Sequence, residues 1–177
     1  MLDNARARTA IAGLVNPPAR ALLRAGLTPD HVTWIGAIIT AGASIALIGS
    51  GHLVAGGLAF IIISASDLLD GTMARLSGRI STWGAFLDST LDRVVDAAVF
   101  GSLAWYFSDR DRAMFAAALA AVVGALLTSY VRARAEAVGA TCRVGLAERS
   151  ERNVIVAIGL VFHAATPWVL PACTVLL

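Results

Sequence analysis

Four aspartates, Asp67, Asp70, Asp88 and Asp92, fall within SDLLDGTMARLSGRISTWGAFLDSTLDR, residues 66–93, in a chain whose flanking segments are strongly apolar. Asp67 and Asp70 are three residues apart, and Asp88 and Asp92 four apart, so on helices each pair shares one face. The connection from Leu76 to Thr82 is short, which makes the two helices antiparallel neighbours and turns the carboxylates toward one another. Gly71 and Gly84 remove side chains near that turn and allow the backbones to approach. Uncompensated, the arrangement is unfavourable, because like charges oppose each other's ionisation and ionisable groups in membrane helices are costly. Hard divalent cations resolve the conflict, since Mg²⁺ and Mn²⁺ prefer carboxylate oxygens. Four carboxylates can hold two such ions, and metal pairs commonly serve phosphoryl chemistry. The competing reading is structural: protonated or arginine-paired aspartates joining helices, with Arg75 and Arg93 as partners. It accounts for one pair better than for four.

The elements that position these residues are membrane helices. Only 15% of the 177 residues are charged and 58% are hydrophobic, whereas a soluble domain carries about a quarter charged residues. Apolar stretches occupy residues 31–50, 52–76, 81–107, 113–139 and 153–165, and the first four reach the roughly 20 residues that a spanning helix needs. Thr28-Pro29-Asp30 is a helix-start signature before the first. WVLPACTVLL, after Pro167, reads as a sixth helix cut short. In residues 1–26, Leu14, Val15, Leu22 and Leu23 are interspersed with Arg6, Arg8, Arg20 and Arg24, as in a helix lying in the headgroup region. The expectation is an all-α polytopic membrane protein. It has six transmembrane helices, the last apparently truncated, and an N-terminal interfacial amphipathic helix. A single domain covers 1–177, with the interfacial segment at 1–26 and the transmembrane bundle at 28–177. The N-terminus lacks the apolar run of a cleavable signal peptide. Cys142 and Cys173 show no metal-binding spacing.

Every basic side chain besides histidine is arginine. With the N-terminus in the cytoplasm, Arg6, Arg8, Arg20, Arg24, Arg79, Arg143, Arg149 and Arg152 fall on the cytoplasmic side. The connections GSGH (49–52) and SDRDR (108–112) then face out with no net charge. This positive-inside asymmetry puts the aspartates at the cytoplasmic helix ends, near water, in the cell membrane. Nothing in the sequence points to nucleic acid.

Asp67-x-x-Asp70-Gly71-x-x-Ala74-Arg75, eight residues, then Gly84-x-x-x-Asp88-x-x-x-Asp92 resembles the full signature of the CDP-alcohol phosphotransferases. The resemblance implies that a CDP-linked lipid, usually CDP-diacylglycerol, loses CMP as an alcohol attacks its β-phosphorus, with two Mg²⁺ or Mn²⁺ ions bound. It makes Asp67, Asp70 and Asp88 metal ligands, and Asp92 both a metal ligand and the base that takes the hydroxyl proton. It places Asp67, Gly71, Ala74, Arg75 and Asp88 against the CDP-lipid. Thr28-Pro29-Asp30-x-x-Thr33 resembles the family's nucleotide-side motif, with Asp30 and Thr33 as cytidine contacts. Asp30 also reads as an ordinary helix N-cap.

Ser129, Arg132 and Arg134 near the end of the fourth apolar stretch, and Arg149 and Arg152 before the fifth, form a second polar cluster. Arginine forks suit phosphate recognition, so an acceptor bearing its own phosphate fits. Their bland role is to anchor helix ends to anionic headgroups. ARALLRAGLTPDHVT, LDSTLDRVVDAAVFG, SYVRARAEAVG and GLAERSER are similar to the actinobacterial phosphatidylinositol phosphate synthases, a branch of that family using inositol 1-phosphate. The similarity covers residues 13–165. Ser129, Arg132, Arg134 and Arg152 match that branch's acceptor pocket, where Arg132 is more often lysine. The branch has a further pocket arginine in its sixth helix, and here no arginine or lysine follows Arg152. Family analogy implies a homodimer in contact with membrane lipids. The same chemistry on another acceptor, such as glycerol 3-phosphate, is the alternative. LDSTLDR, where phosphatidylglycerophosphate synthases usually read LDPLADK, argues against it. Outside enzymes the alternative is an ion or proton transporter, which would place ionisable groups near the bilayer midplane.

Overall fold

The structure, a computed structural model, describes residues 2–64, 66–140 and 149–162. Among these residues there is no strand. The elements are α1 (Leu2–Arg24), α2 (Pro29–Ala43) continued by a π-helical turn (Ser44–Ile48), α3 (Leu53–Ser64), α4 (Ser66–Ser77), α5 (Thr82–Phe107), α6 (Arg112–Ala137) and α7 (Arg149–Phe162). The all-α expectation therefore holds. The second apolar stretch supplies both α3 and α4, and the short stretch after Pro167 lies outside the described residues.

Local chemistry sets the helix ends that matter for the site. Thr28 Oγ1 accepts from the His31 N–H at 3.3 Å, and His31 Nδ1 accepts from the Thr28 N–H at 3.4 Å. This is the reciprocal geometry of a capping box, with histidine in place of the usual Glu or Gln. Pro29 follows at the first helical position, where its missing N–H costs nothing. The cap of α2 is thus Thr28, not Asp30, because Asp30 already stands inside the first turn. Ser81 Oγ accepts from the Gly84 N–H at 3.0 Å and starts α5. Between α4 and α5, Gly78 has φ +65°, and the Arg79 N–H reaches back to the Ala74 carbonyl at 3.0 Å. That left-handed closure, cheap only for glycine, makes the turn tight.

The chain divides into two compact units, residues 1–39 with 62–92 and residues 40–61 with 93–177. In the first, α1 packs against α4 around buried Ala19, Val32 and Met73, with Leu22, Leu23, Leu27 and Leu69 partly buried against them. These come from α1, the loop after it, α2 and α4, so one small cluster ties together three of the helices that carry or flank the acidic motif. In the second unit, α3 lies close to its neighbours through two glycines. A Cβ on Gly56 would stand 2.6 Å from Ile48 Cγ1, and one on Gly57 would stand 2.8 Å from Leu160 Cβ. Small residues at helix contacts are how membrane helices reach dispersion contact without a hydrophobic drive between them.

Three stretches are long and apolar enough to cross a bilayer: Pro29–Ile48, Leu53–Ser77 and Arg112–Ala137. Ile38, Ile45, Ile62, Val123 and Leu127 on them are exposed, as a lipid-facing surface requires. Helix α5 is 26 residues long, but Asp88, Asp92, Arg93 and Asp96 interrupt its apolar run. The described part of α7 has a shorter apolar section, Asn153–Phe162.

Candidate functional site

Asp67 and Asp70 stand on α4, and Asp88 and Asp92 on α5, all in the first unit. Leu69 and Met73 face the α1–α2 cluster, and Asp70 shares the inward side of α4 with Met73, one turn away. Asp70 is consequently buried, with 7% of its surface exposed. Asp67 and Asp88 are exposed and Asp92 is half-buried.

Burying a carboxylate is costly unless its oxygens find donors, and both Asp70 oxygens do. Oδ2 accepts from the Thr33 hydroxyl at 2.7 Å, across 37 residues of sequence. Oδ1 accepts from the N–H of Gly71. Asp88 and Asp67 both lie within electrostatic reach of Asp70, so residues from α4 and α5 converge electrically. Among the described residues no three His, Cys, Asp or Glu side chains close into one metal-ion cluster. The donor set nevertheless suits a hard divalent ion: carboxylate oxygens from two helices of one unit, with Asp70 oriented by donors that leave lone pairs on each oxygen.

The other motif positions surround this centre. Arg75 Nη2 donates to Thr72 Oγ1 at 2.9 Å, and its Nη1 lies 3.6 Å from where a Gly71 Cβ would be. The absence of a side chain at Gly71 thus gives the guanidinium space to fold back along α4. Ala74, one turn after Asp70, is half-buried. Asp30 Oδ1 stands 3.8 Å from the position of a Gly84 Cβ, which sets the carboxylate from the first turn of α2 against the bare start of α5. Helix α2 therefore meets both helices of the motif, through Thr33 on Asp70 of α4 and Asp30 beside Gly84 of α5.

The second cluster belongs to the second unit. Ser129, Arg132 and Arg134 lie on the last turns of α6, with Ser129 half-buried and both arginines exposed. Arg132 Nε donates to Glu136 Oε1 at 3.1 Å, one turn away, in an exposed pair, an arrangement worth only about 0.3–0.5 kcal/mol. Arg149 and Arg152 occupy the first turn of α7, and their side chains lie outside the described residues.

Sequence reasoning missed two features: the capping role of His31 and the bond from Thr33 to Asp70. A histidine three residues after a threonine at a helix start was a legible signal. The second feature had none, because no local pattern pairs residues so far apart.

A family model described as CDP-alcohol phosphatidyltransferase matches residues 26–177. The chain belongs to the CDP-alcohol phosphatidyltransferase family. It is 44% identical over 157 residues to the phosphatidylinositol phosphate synthase of Mycobacteroides abscessus, covering 88% of this chain and 71% of that protein. It is 45% identical over 157 residues to the synthase of the same name from Cutibacterium acnes, covering 88% and 75%. The crystal structure of the Mycobacterium tuberculosis phosphatidylinositol phosphate synthase with CDP-DAG bound superposes with a TM-score of 0.90 at 38% identity, over 93% of this chain and 86% of that one. The same enzyme in complex with manganese and citrate gives 0.88 at 39% identity, over 92% and 80%. Membership in a phosphatidyltransferase family sets aside the transporter reading.

Proposed function

We propose that this protein transfers the phosphatidyl group of CDP-diacylglycerol to a hydroxyl of inositol 1-phosphate, giving phosphatidylinositol phosphate and CMP. The observation that carries the reading is the likeness, over nearly the whole chain, to a synthase solved with that CDP-lipid bound. The complete motif from Asp67 to Asp92 supports it.

In this reading Asp67, Asp70, Asp88 and Asp92 hold two Mg²⁺ or Mn²⁺ ions, which when bound neutralise pyrophosphate charge and favour departure of CMP. Asp92 takes the proton from the acceptor hydroxyl as that oxygen bonds to the β-phosphorus and the bond to CMP breaks. A carboxylate beside a cation is a modest base, so alignment supplies much of the rate. Asp67 and Asp88 border the donor as well. Gly71 and Ala74 leave space for the nucleotide, and Arg75 reaches its phosphates. Asp30 and Thr33 lie on the cytidine side. Ser129, Arg132, Arg134, Arg149 and Arg152 receive the phosphate of the acceptor, for which forked guanidinium donors are suited. The protein acts as a homodimer of six-helix subunits in the cell membrane. The N-terminus and site face the cytoplasm, and α1 lies at the interface among lipid headgroups. That placement lets a water-soluble acceptor meet a membrane-borne donor.

The test is CMP release by purified protein with CDP-diacylglycerol and Mg²⁺, comparing inositol 1-phosphate, free inositol and glycerol 3-phosphate. Release with inositol phosphate, lowered about 10²–10⁴-fold in Asp92→Asn, is the expected result. Release with glycerol phosphate alone would keep the chemistry and overturn the acceptor assignment. No release with any acceptor would overturn both.

A further inference from the structure

Thr33 does something in this structure that a cytidine contact does not require. Its hydroxyl stands 3.1 Å from the Pro29 carbonyl one turn back and 2.7 Å from Asp70 Oδ2. The first contact is the ordinary habit of threonine in a helix. The second joins α2 to α4, and at 2.7 Å it still falls within the range for a hydroxyl donating to an ionised oxygen, about 2.5–2.7 Å. With one proton to give, the hydroxyl directs it mainly to the nearer, charged acceptor.

The surroundings make this bond a fixed one. Val32, the preceding residue, is buried with Ala19 and Met73, so the backbone carrying Thr33 is held against α4 by packing. Asp70 is almost wholly removed from solvent, and its other oxygen is engaged by the Gly71 N–H. The carboxylate is therefore oriented from both sides, one donor per oxygen. A threonine is well suited to the task, because β-branching restricts its χ1.

We infer that Thr33 is a positioning residue that holds the Asp70 carboxylate in its ion-binding orientation, an inference resting on the metal-assisted reading above. Outer partners of this kind orient ligands, and their loss typically weakens metal affinity by 10–100-fold. The role goes beyond contact with the nucleotide and is separable from it.

The experiment is a Mn²⁺ titration, followed by electron paramagnetic resonance, of the full protein and of Thr33→Val, Thr33→Ser and Thr33→Ala. It is paired with kcat and KM for CDP-diacylglycerol at saturating Mn²⁺. Thr33→Val keeps the shape and removes the hydroxyl, and Thr33→Ala removes the hydroxyl without relying on an isosteric fit. The expected result is Mn²⁺ affinity weakened about tenfold or more in both and restored in Thr33→Ser. kcat should recover as Mn²⁺ is raised. Unchanged Mn²⁺ affinity with a raised KM for the CDP-lipid would overturn the inference and leave Thr33 a nucleotide contact. If Thr33→Val does not fold, Thr33→Ala and Thr33→Ser decide between the same two outcomes. A parent protein that binds no Mn²⁺ would instead overturn the metal-assisted reading itself.

Discussion

Met73→Ala tests whether the small cluster in the first unit is what holds the acidic centre in place. Met73 is wholly excluded from solvent, lies one turn beyond Asp70 on α4, and packs with Ala19 and Val32. Truncating a buried methionine costs about 2–5 kcal/mol, depending on how far the neighbours collapse into the space. Here Leu22, Leu23, Leu27 and Leu69 are only partly buried and can settle inward, which puts the cost in the lower half, about 2–3 kcal/mol. A second effect reaches the site. Thr33 follows Val32, so slack in the cluster loosens the 2.7 Å bond to Asp70. A hydrogen bond to a charged group is worth about 1.5–3 kcal/mol, and losing around half of it slows turnover up to about tenfold. Stability would be read by graded SDS unfolding in mixed micelles, and turnover by CMP release per folded molecule. Met73→Leu, a volume-conserving control, should cost less than about 1.5 kcal/mol. A Met73→Ala protein within about 0.5 kcal/mol of the parent, the behaviour of a surface change, and with unaltered turnover would refute the reasoning.

Gly57→Ala places a methyl 2.8 Å from Leu160 Cβ, roughly 1 Å inside the ordinary carbon separation. It should destabilise by about 1–3 kcal/mol in the same unfolding assay. Arg134→Ala should raise KM for inositol 1-phosphate by about 10–100-fold, the worth of one charge-assisted contact, with kcat little changed. Arg134→Lys should restore only part of this, because a point charge cannot reproduce the guanidinium fork. Removing divalent ions with EDTA should abolish CMP release, and Mn²⁺ or Mg²⁺ should restore it in a titration at fixed CDP-diacylglycerol.

Much of this protein was legible in one dimension. Asp67, Asp70, Gly71, Ala74, Arg75, Gly84, Asp88 and Asp92 carry their meaning through spacing, because helical periodicity converts separations of three and four into shared faces. Helix positions follow equally from local composition. The apolar runs, Pro29 at a first turn and the glycines after α1, α4 and α6, with φ of +82°, +65° and +80°, all act within a few residues of themselves. Packing between distant segments decided the rest. That α1 clamps α4 through Ala19 and Met73 was not written in the alternation of leucine and arginine, which fits a helix on lipid just as well. That Asp70 alone of the four motif aspartates is buried, and that Thr33 reaches it, depends on which face of α4 turns inward. The four carboxylates are the same chemical group, so sequence makes them equivalent. Only the tertiary structure sets Asp70 apart, by burying it and giving its two oxygens the Thr33 hydroxyl and the Gly71 N–H as donors.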